Sequence, residues 1–329
     1  MTAFAESAGP PLFAEVAGEP LKGTLTLPLT ELLRSKGKRP TVAATLALEG
    51  HEGALAVDVT PRGKSRLDRC RFPPLWLDFP KKALGGTLFA GQNKLKLVTH
   101  CSTKLEPRGY LAAEMVAYRL LNMLTNKSFR VRAIELTYVD SNKPEREPER
   151  HHAFFIEHKN QLAERLALAA PDVTSLNSGQ LEPAYTGMLG LYQYMIGNTD
   201  FSFIRGPEND DCCHNAVPMH DAANRYFVIP YDFDSSGIVD PSYGEPNEAL
   251  GVRRFTQRLY RGFCRHNDQL LTAAETLRAQ RSAVNALIAD FDDVPHLKRD
   301  KLQSFMDRFY KTLENPRSVN SRLIKRCRG

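Results

Sequence analysis

The stretch NKLKLVTHC, residues 93–101, alternates strictly between apolar and polar side chains. The leucines face one side and Lys94 and Lys96 the other, which is the period-two pattern of a β-strand with one buried face. A helical pattern follows at residues 110–124, YLAAEMVAYRLLNML, where apolar residues recur every three or four positions. The sequence therefore predicts a strand that presents two lysines on one face, followed by an amphipathic helix.

Strand-like segments dominate the first half of the chain, and helical segments dominate the second. GTLTLPL, GALAVDVT, FRVRAIELTYV and HAFFIEH are short and separated by Gly, Pro or charged turns. Later, helices are predicted at 182–197, 267–290 and 294–313. The pattern predicts an α+β protein with a strand-rich N-terminal lobe, residues 1–159, and a mostly helical C-terminal lobe, residues 160–329. A cleft between two such lobes is a common ligand site.

Composition and charge indicate a soluble globular protein. The chain has 329 residues, 42% of them hydrophobic, and a net charge of +6. No run approaches the roughly 20 apolar residues of a membrane span. The basic runs are scattered, so a nucleic-acid partner is not favoured. The first residues lack a secretory pattern. We expect a cytoplasmic protein if the chain is complete, and an exported one if a leader was removed and Cys70 and Cys101 form a disulfide.

The six cysteines form no CxxC pair, so a zinc ribbon is not indicated. The sequence favours reduced, partly buried thiols, and a Cys70–Cys101 disulfide is the alternative. The run Cys212–Cys213–His214 has the residue types of a metal cluster, but adjacent side chains bind one tetrahedral ion poorly.

Several oxygen-bearing side chains are concentrated in one short part of the chain. Asn198 and Asp200 follow a predicted helix, Asn215 ends a polar loop, and Asp232 and Asp234 follow a predicted strand. Such oxygens suit Mg²⁺ or Mn²⁺, which also accept substrate phosphates as ligands. A nearby carboxylate can accept or orient the proton of a nucleophile in phosphoryl transfer. The alternatives are ordinary caps and turns, or a structural Ca²⁺ site.

A lysine and a glutamate of the first half form a second candidate pair. Glu114 is the only acid in the predicted helix 110–124 and lies on or beside its apolar face. A strand lysine paired with a helix glutamate positions nucleotide phosphates in protein kinases. The sequence therefore predicts an ion pair between Lys96 and Glu114, and the alternative is that both side chains are exposed and unpaired.

Parts of the chain resemble a known kinase family. The segments GNTDFS, HN and IPYDFD, between residues 197 and 234, resemble the active-site region of the CotH (spore-coat protein H) type of atypical kinases. They are more distantly similar to the HipA-type kinases. RGKSRLDRCRFPPLWL, LKLVTHC and SFRVRAIELTYVD are similar to bacterial proteins related to the CotH type. The resemblance implies a two-lobed protein-kinase-like fold, with ATP and Mg²⁺ or Mn²⁺ as cofactors.

The resemblance also implies roles for the polar residues of the second half. Asp200 would be the catalytic carboxylate, and Asn215 and Asp232 would bind the metal. Asp234 is a further candidate metal ligand at the same strand end, and Asp232 is favoured over it because it follows the strand directly. The loop after Asp200 is longer than in the compact HipA-type motif, which leaves Asn209 as an alternative to Asn215.

In the first half, the resemblance implies a nucleotide site. Lys96 would contact the α and β phosphates of ATP, with Glu114 as its partner. Arg62, Lys64 and Arg66, in the basic turn PRGKSR, would take the place of a glycine-rich loop over the phosphates, and a solvated basic turn is the alternative. The connector beside the adenine would contain Ile156, Glu157 and His158.

Three functions are compatible with these patterns. The first is an ATP- and metal-dependent phosphotransferase with Ser or Thr of a protein as its acceptor. The second is a pseudokinase, which binds nucleotide without transferring phosphate. The third is a metal-dependent phosphoesterase that uses the aspartates for a two-metal site and has no need of Lys96.

Overall fold

The computed structural model describes residues 11–14, 18–80, 84–208 and 210–329. The chain divides into two compact units, each assembled from separate stretches. The barrel unit comprises the described residues of Met1–Met115, Arg130–Arg165 and Asp292–Leu297. The helical unit comprises those of Val116–Phe129, Leu166–Phe291 and Lys298–Gly329.

Seven strands of the barrel unit form a closed barrel. They are β1 (Leu21–Leu27), β2 (Val42–Leu48), β3 (Ala54–Pro61), β4 (Leu75–Asp78), β5 (Lys94–Val98), β6 (Val131–Asp140) and β7 (Glu149–Ile156). The order around the barrel is β1-β2-β3-β4-β5-β7-β6. Neighbouring strands are antiparallel except β1 and β6, which run parallel. The β1–β6 pair closes the barrel, so that these strands leave no free sheet edge.

Alternating apolar residues build the core of the barrel. In β5, Leu95 and Leu97 are buried, while Lys94 and Lys96 are partly exposed, which confirms the alternation predicted for this stretch. Leu77 of β4 lies opposite Leu95 and belongs to the same apolar cluster. Burial of such side chains from every strand supplies the main favourable term for folding this unit.

The two-lobed protein-kinase-like α+β fold predicted from the sequence is wrong. A closed, mixed barrel of seven strands is not the sheet of a typical two-lobed kinase fold. The alternation located strands correctly, but it carries no information about which strands pair. The barrel closes where Leu21 of β1 pairs with Ile134 of β6. These two residues are far apart in the sequence, so no local pattern predicts that they pair.

The described helices are mostly short. They are α1 (Leu29–Ser35), α2 (Ser65–Arg69), α3 (Tyr110–Leu124), α4 (Lys159–Leu166), α5 (Pro183–Ile196), α6 (Asn267–Ala279), α7 (Arg281–Ala289), α8 (Arg299–Leu313) and α9 (Pro316–Arg322). The predicted helix 267–290 is two helices, because the backbone leaves helical geometry at Gln280 (ψ 3°). The predicted helix 294–313 begins only at Arg299, because His296 has a left-handed φ of 68°. Within the described ranges, none of the helices combines the length and the apolar character needed to cross a membrane.

In the helical unit, α5 has the start and stop signals that the sequence predicts. Pro183 occupies the first turn, and the Glu182 side chain accepts a hydrogen bond from the Tyr185 amide at 2.6 Å. Gly197 ends the helix in the left-handed conformation (φ 66°) that glycine adopts most easily. After the helix, β8 (Ala216–His220) and β9 (Tyr226–Pro230) form a separate antiparallel pair.

Three disulfides join the six cysteines, namely Cys70–Cys101, Cys212–Cys213 and Cys264–Cys327. The prediction of reduced thiols is therefore wrong, and its alternative, a Cys70–Cys101 disulfide, is confirmed. Disulfide formation depends on the distance between two Cα atoms in the folded chain, and spacing in the sequence does not determine that distance.

Candidate functional site

The β8–β9 hairpin brings two of the predicted site residues together. Ala216, the first residue of β8, pairs with Pro230, the last residue of β9. One step beyond that pair, the Tyr231 amide donates to the Asn215 carbonyl oxygen at 2.9 Å. Asn215 therefore lies beside Tyr231, and Asp232 follows directly. The residue before the first strand of a hairpin and the residue after the second strand are neighbours. Asn215 and Asp232 are therefore close to each other, although they are 17 positions apart in the sequence.

The loop after α5 is attached to the same region. Asn198 forms a β-bridge with Ser236, and the Gly237 amide donates to the Gly197 carbonyl oxygen at 3.0 Å. Asn198 is buried, and its side-chain oxygen accepts the backbone N–H of Asp200 at 2.8 Å. This is the turn role considered as an alternative for Asn198, and it orients the residue that follows.

Asp200 lies between two side chains that hold its carboxylate. His214 Nε2 is 2.7 Å from Asp200 Oδ1, and the imidazole must be the donor because an ionised carboxylate only accepts. Asn215 Nδ2 donates to Asp200 Oδ2 at 3.1 Å and to the Asp200 backbone oxygen at 2.8 Å. The Asp200 side chain is still 45% exposed, so a ligand can reach it.

The backbone at this site adopts conformations that are uncommon for residues with side chains. Asn215 has φ 51° and Asp232 has φ 63°, both in the left-handed region. Asn and Asp tolerate this region better than most residues. The Asp232 amide donates to the Tyr118 hydroxyl at 2.9 Å, and the Tyr118 ring packs against Phe233 at 4.7 Å between centroids. These contacts hold the strained turn, and strain of this kind is often retained at functional sites.

The pKa of His214 is raised above its ordinary value. The largest cause is the hydrogen bond to Asp200; partial burial acts in the opposite direction. The negative charges of Asp200 and Asp232 raise this pKa further, and the positive charge of Arg261 lowers it. The imidazole is therefore influenced by both carboxylates of the predicted site, which supports their placement in one local environment.

Arg261 holds the loop that carries Asp200. Its Nη1 donates to the backbone oxygens of Thr199 at 2.6 Å and Phe201 at 2.7 Å, on either side of Asp200. Its guanidinium also lies 4.9 Å from the Phe201 ring centroid. Burial is the largest cause that lowers the pKa of Arg261, to about 10, so the side chain is charged at neutral pH.

The predicted metal-binding residues offer oxygen atoms of the type that Mg²⁺ and Mn²⁺ prefer. Asn215 uses its Nδ2 on Asp200, and its Oδ1 accepts no hydrogen bond from the residues that the structure describes. That oxygen and the carboxylates of Asp232 and the buried Asp234 are hard ligands of the kind Mg²⁺ and Mn²⁺ bind. Over the described part of the chain, no group of three or more His, Cys, Asp and Glu side chains is arranged to hold a metal ion. A metal here would thus need further ligands from water and substrate.

The predicted phosphate contacts belong to the barrel unit. Glu114 is buried and forms an ion pair with Arg66 at 2.9 Å, so the alternative of an exposed, unpaired Glu114 is wrong. Lys96 lies on β5 opposite Trp76 of β4, with its Nζ 5.8 Å from the Trp76 ring centroid. The Lys96–Glu114 ion pair stays a prediction. Arg62 follows β3 and lies over the same ring.

The predicted connector lies at the end of β7. Ile156 is buried in the strand, and Glu157 is wholly buried. The Glu157 carboxylate accepts two hydrogen bonds from Arg165, both at 2.9 Å, so its side chain has a structural contact. The ring of His158 lies 6.5 Å from that of Trp76. Asn209, the alternative to Asn215, lies outside the described residues.

Sequence reasoning missed two residues of this site. The sequence pattern assigned His214 only to a cysteine-containing metal cluster. Its position next to Asn215 indicates that it lies near the same site. Arg261 is 61 residues beyond Asp200, and no local pattern connects them.

No known protein family matches the sequence, and no curated protein shows significant similarity to it.

Proposed function

We propose that this protein is an ATP- and divalent-metal-dependent phosphotransferase of the CotH-like type, with Ser or Thr of a protein as its acceptor. The observation that carries the proposal is the arrangement around Asp200. One carboxylate, reachable from solvent, is held by His214 and Asn215, and Asp232 follows at the adjoining strand end.

The proton-transfer and metal-binding tasks of phosphoryl transfer have candidates in this set, whereas the proposed phosphate contact belongs to the barrel unit. Asp200 would accept or orient the proton of the acceptor hydroxyl, because its carboxylate is fixed and still exposed. Asn215 and Asp232 would hold the metal, with Asp234 as a further carboxylate. A bound metal would neutralise charge on the transferring phosphoryl oxygens. Lys96 would contact the α and β phosphates.

A transfer assay with two site variants tests the proposal. Purified protein is incubated with labelled ATP, Mg²⁺ or Mn²⁺ and a generic acceptor protein, and phosphate incorporation and ATP consumption are measured. Asp200→Asn and Asp232→Asn should each lower turnover by about a hundredfold or more, since each removes a charged group from the reacting site. Their melting curves should stay close to wild type.

Asp290→Asn is the matched control, because Asp290 is exposed at the end of α7 and distant in sequence from the site. It should leave turnover unchanged. ATP binding without consumption, unaffected by Asp200→Asn, would instead identify a non-catalytic nucleotide-binding module. Metal-dependent hydrolysis of phosphate esters that survives Lys96→Ala would identify a phosphoesterase.

A further inference from the structure

A single tryptophan lies on the outer face of the barrel. Trp76 is the only tryptophan in the chain. In β4 the leucines on either side of it are buried in the core, whereas Trp76 and Asp78 are partly exposed. Strand alternation therefore directs the indole away from the barrel interior. In the ladders, Trp76 lies opposite Thr60 of β3 and Lys96 of β5.

Three cations, one after β3 and two on β5, lie near this ring. The Arg62 guanidinium is 5.2 Å from the ring centroid, the Lys94 Nζ 5.1 Å and the Lys96 Nζ 5.8 Å. Asp78 Oδ2 is 3.8 Å from Lys94 Nζ, but both side chains are nearly half exposed. A surface ion pair of this kind contributes little stability. Lys94 can therefore leave Asp78 and bind a more highly charged anion, such as a phosphate, at a small cost in free energy.

His158 lies within the electric field of the same cations. Its ring is 6.5 Å from the Trp76 ring. Burial is the first cause that lowers the His158 pKa, and the charges of Lys96, Lys159 and Lys94 lower it further. The opposing contribution of Asp78 is the smallest of these. The local field thus disfavours another cation and favours an anion.

We propose that Trp76, Arg62, Lys94 and Lys96 form a binding surface for a nucleoside triphosphate, with the base stacked on Trp76 and the phosphates on the three cations. The partly exposed indole offers an aromatic surface to a base, and base–aromatic stacking contributes about 1–3 kcal/mol. Arginine and lysine side chains are the usual phosphate-binding groups. Arg62 and Lys96 are already predicted nucleotide contacts, and the surface adds Trp76 and Lys94 to them. The use of the nucleotide as a phosphate donor rests on the proposed function.

Trp76 also reports on its own ligand, because it is the only tryptophan. Titration of the intact protein with ATP should quench or shift its intrinsic fluorescence in a saturable way, with the ATP concentration corrected for absorbance. Inorganic triphosphate should compete with ATP. Adenosine should bind about tenfold or more weakly than ATP, since it lacks the charge-assisted contacts.

Variants assign the contributions of the ring and the cations. Arg62→Gln should weaken ATP binding about tenfold in the same titration. Trp76→Phe, measured by calorimetry, should weaken ATP more than inorganic triphosphate because only ATP has a base. Lys22→Gln is the control, because Lys22 is an exposed lysine on β1 of the same barrel, and its ATP affinity should equal that of wild type.

The outcomes separate this inference from the proposed function. ATP binding at Trp76 without phosphate transfer supports the surface and contradicts the phosphotransferase. Phosphate transfer with a KM for ATP unchanged in Arg62→Gln and Trp76→Phe overturns the surface alone. The surface is also overturned if millimolar ATP leaves the fluorescence unchanged, or if a single-stranded oligonucleotide binds there more tightly than ATP.

Discussion

Glu157 illustrates how one buried charge can determine stability. The residue is fully buried in the barrel unit, and its carboxylate accepts hydrogen bonds from the Arg165 side chain and from the Arg130 amide. Burying a carboxylate is tolerable only when charge and hydrogen bonds compensate for the lost hydration. The sequence placed Glu157 in a connector, whereas the structure shows that its side chain stabilises the end of β7 against α4.

We predict that Glu157→Gln lowers the free energy of unfolding by about 3–5 kcal/mol, because it removes the negative charge that faces a buried arginine. Urea unfolding followed by circular dichroism measures the change. Glu135→Gln is the matched control, because Glu135 keeps partial solvent exposure and pairs at 3.6 Å with both Arg150 and His152, so its loss should cost less than that of the fully buried Glu157. Equal effects of the two variants would show that the buried pair has no special role.

Two buried histidines and a glutamate form a titratable cluster in the barrel unit. The rings of His100 and His151 stack at 3.7 Å between centroids, and Glu106 Oε2 is 2.8 Å from His151 Nδ1. Burial is the main cause that lowers the pKa of His100 to about 3. The pKa of Glu106 is lowered to about 2; burial acts against this shift, and the hydrogen bond from His151 is the largest cause in its favour.

We predict that stability falls as the pH drops below about 6.5. The unfolded chain protonates His100 near its ordinary pKa of 6.5, while the folded protein resists until about pH 3, so stability is present above this window and lost within it. Glu106 adds a second loss between pH 4.5 and about 2. His151, whose pKa is raised, contributes in the opposite direction, and its stabilisation is lost as the pH rises.

Unfolding free energies measured between pH 7.5 and 4.5 test this prediction. One proton taken up only by the unfolded chain costs about 1.4 kcal/mol per pH unit. His100→Leu should flatten the loss, although it also changes the packing, whereas the variant His51→Gln, at an exposed turn, should keep the wild-type slope. An unchanged slope in His100→Leu would assign the acid sensitivity to other groups.

Helix α5 ends at a position where only glycine fits well. Gly197 has φ 66°, and a Cβ added there would be 3.1 Å from the Phe305 ring and 3.3 Å from the Gly237 Cα. The left-handed conformation alone costs a non-glycine residue roughly 1–2 kcal/mol. The Gly237 amide also donates to the Gly197 carbonyl oxygen at 3.0 Å, three residues before Asp200.

We predict that Gly197→Ala destabilises the helical unit by about 2–3 kcal/mol, as the sum of backbone strain and steric contact. Gly251→Ala is the matched comparison, because Gly251 has φ 71° and nothing within 4 Å of an added Cβ. It should show the backbone cost alone. The difference between the two, from chemical denaturation, measures the packing contribution, and a difference near zero would show that the Phe305 ring simply moves.

Across the helical unit, the Cys264–Cys327 disulfide constrains the chain most. It joins residues 63 positions apart, whereas Cys212 and Cys213 are neighbours. By the chain-entropy estimate, a loop of this length lowers the entropy of the unfolded state by an amount worth about 4 kcal/mol. The Cys264 amide also donates to the Arg328 backbone oxygen at 2.8 Å, and Arg328 in turn contacts the backbone of Arg261.

We predict that the double variant Cys264→Ser, Cys327→Ser loses about 3–4 kcal/mol of unfolding free energy. The double variant Cys212→Ser, Cys213→Ser should lose far less, because that disulfide closes no loop. Urea unfolding under non-oxidising conditions compares them. A larger loss for the adjacent pair would mean that its contribution comes from local structure around His214.

The candidate site shows how far local patterns reach. The residues Asn198, Asp200, Asn215 and Asp232 could be selected from the sequence because each follows a readable helix, loop or strand. The bridge from Asn198 to Ser236 could not, since it joins two loops. Nor could Arg261, because its partners are backbone oxygens, which every residue has.

By itself, the sequence determined the approximate positions of most strands and helices, which face of β5 is apolar, and how α5 starts and stops. These properties depend on neighbours within a few positions, which share one hydrophobic pattern or one cap. Only the tertiary structure decided that seven strands close into a barrel, that Glu114 pairs with Arg66, and which cysteines are joined. Those contacts connect distant parts of the chain, and their free energy depends on complementary packing that no short stretch encodes.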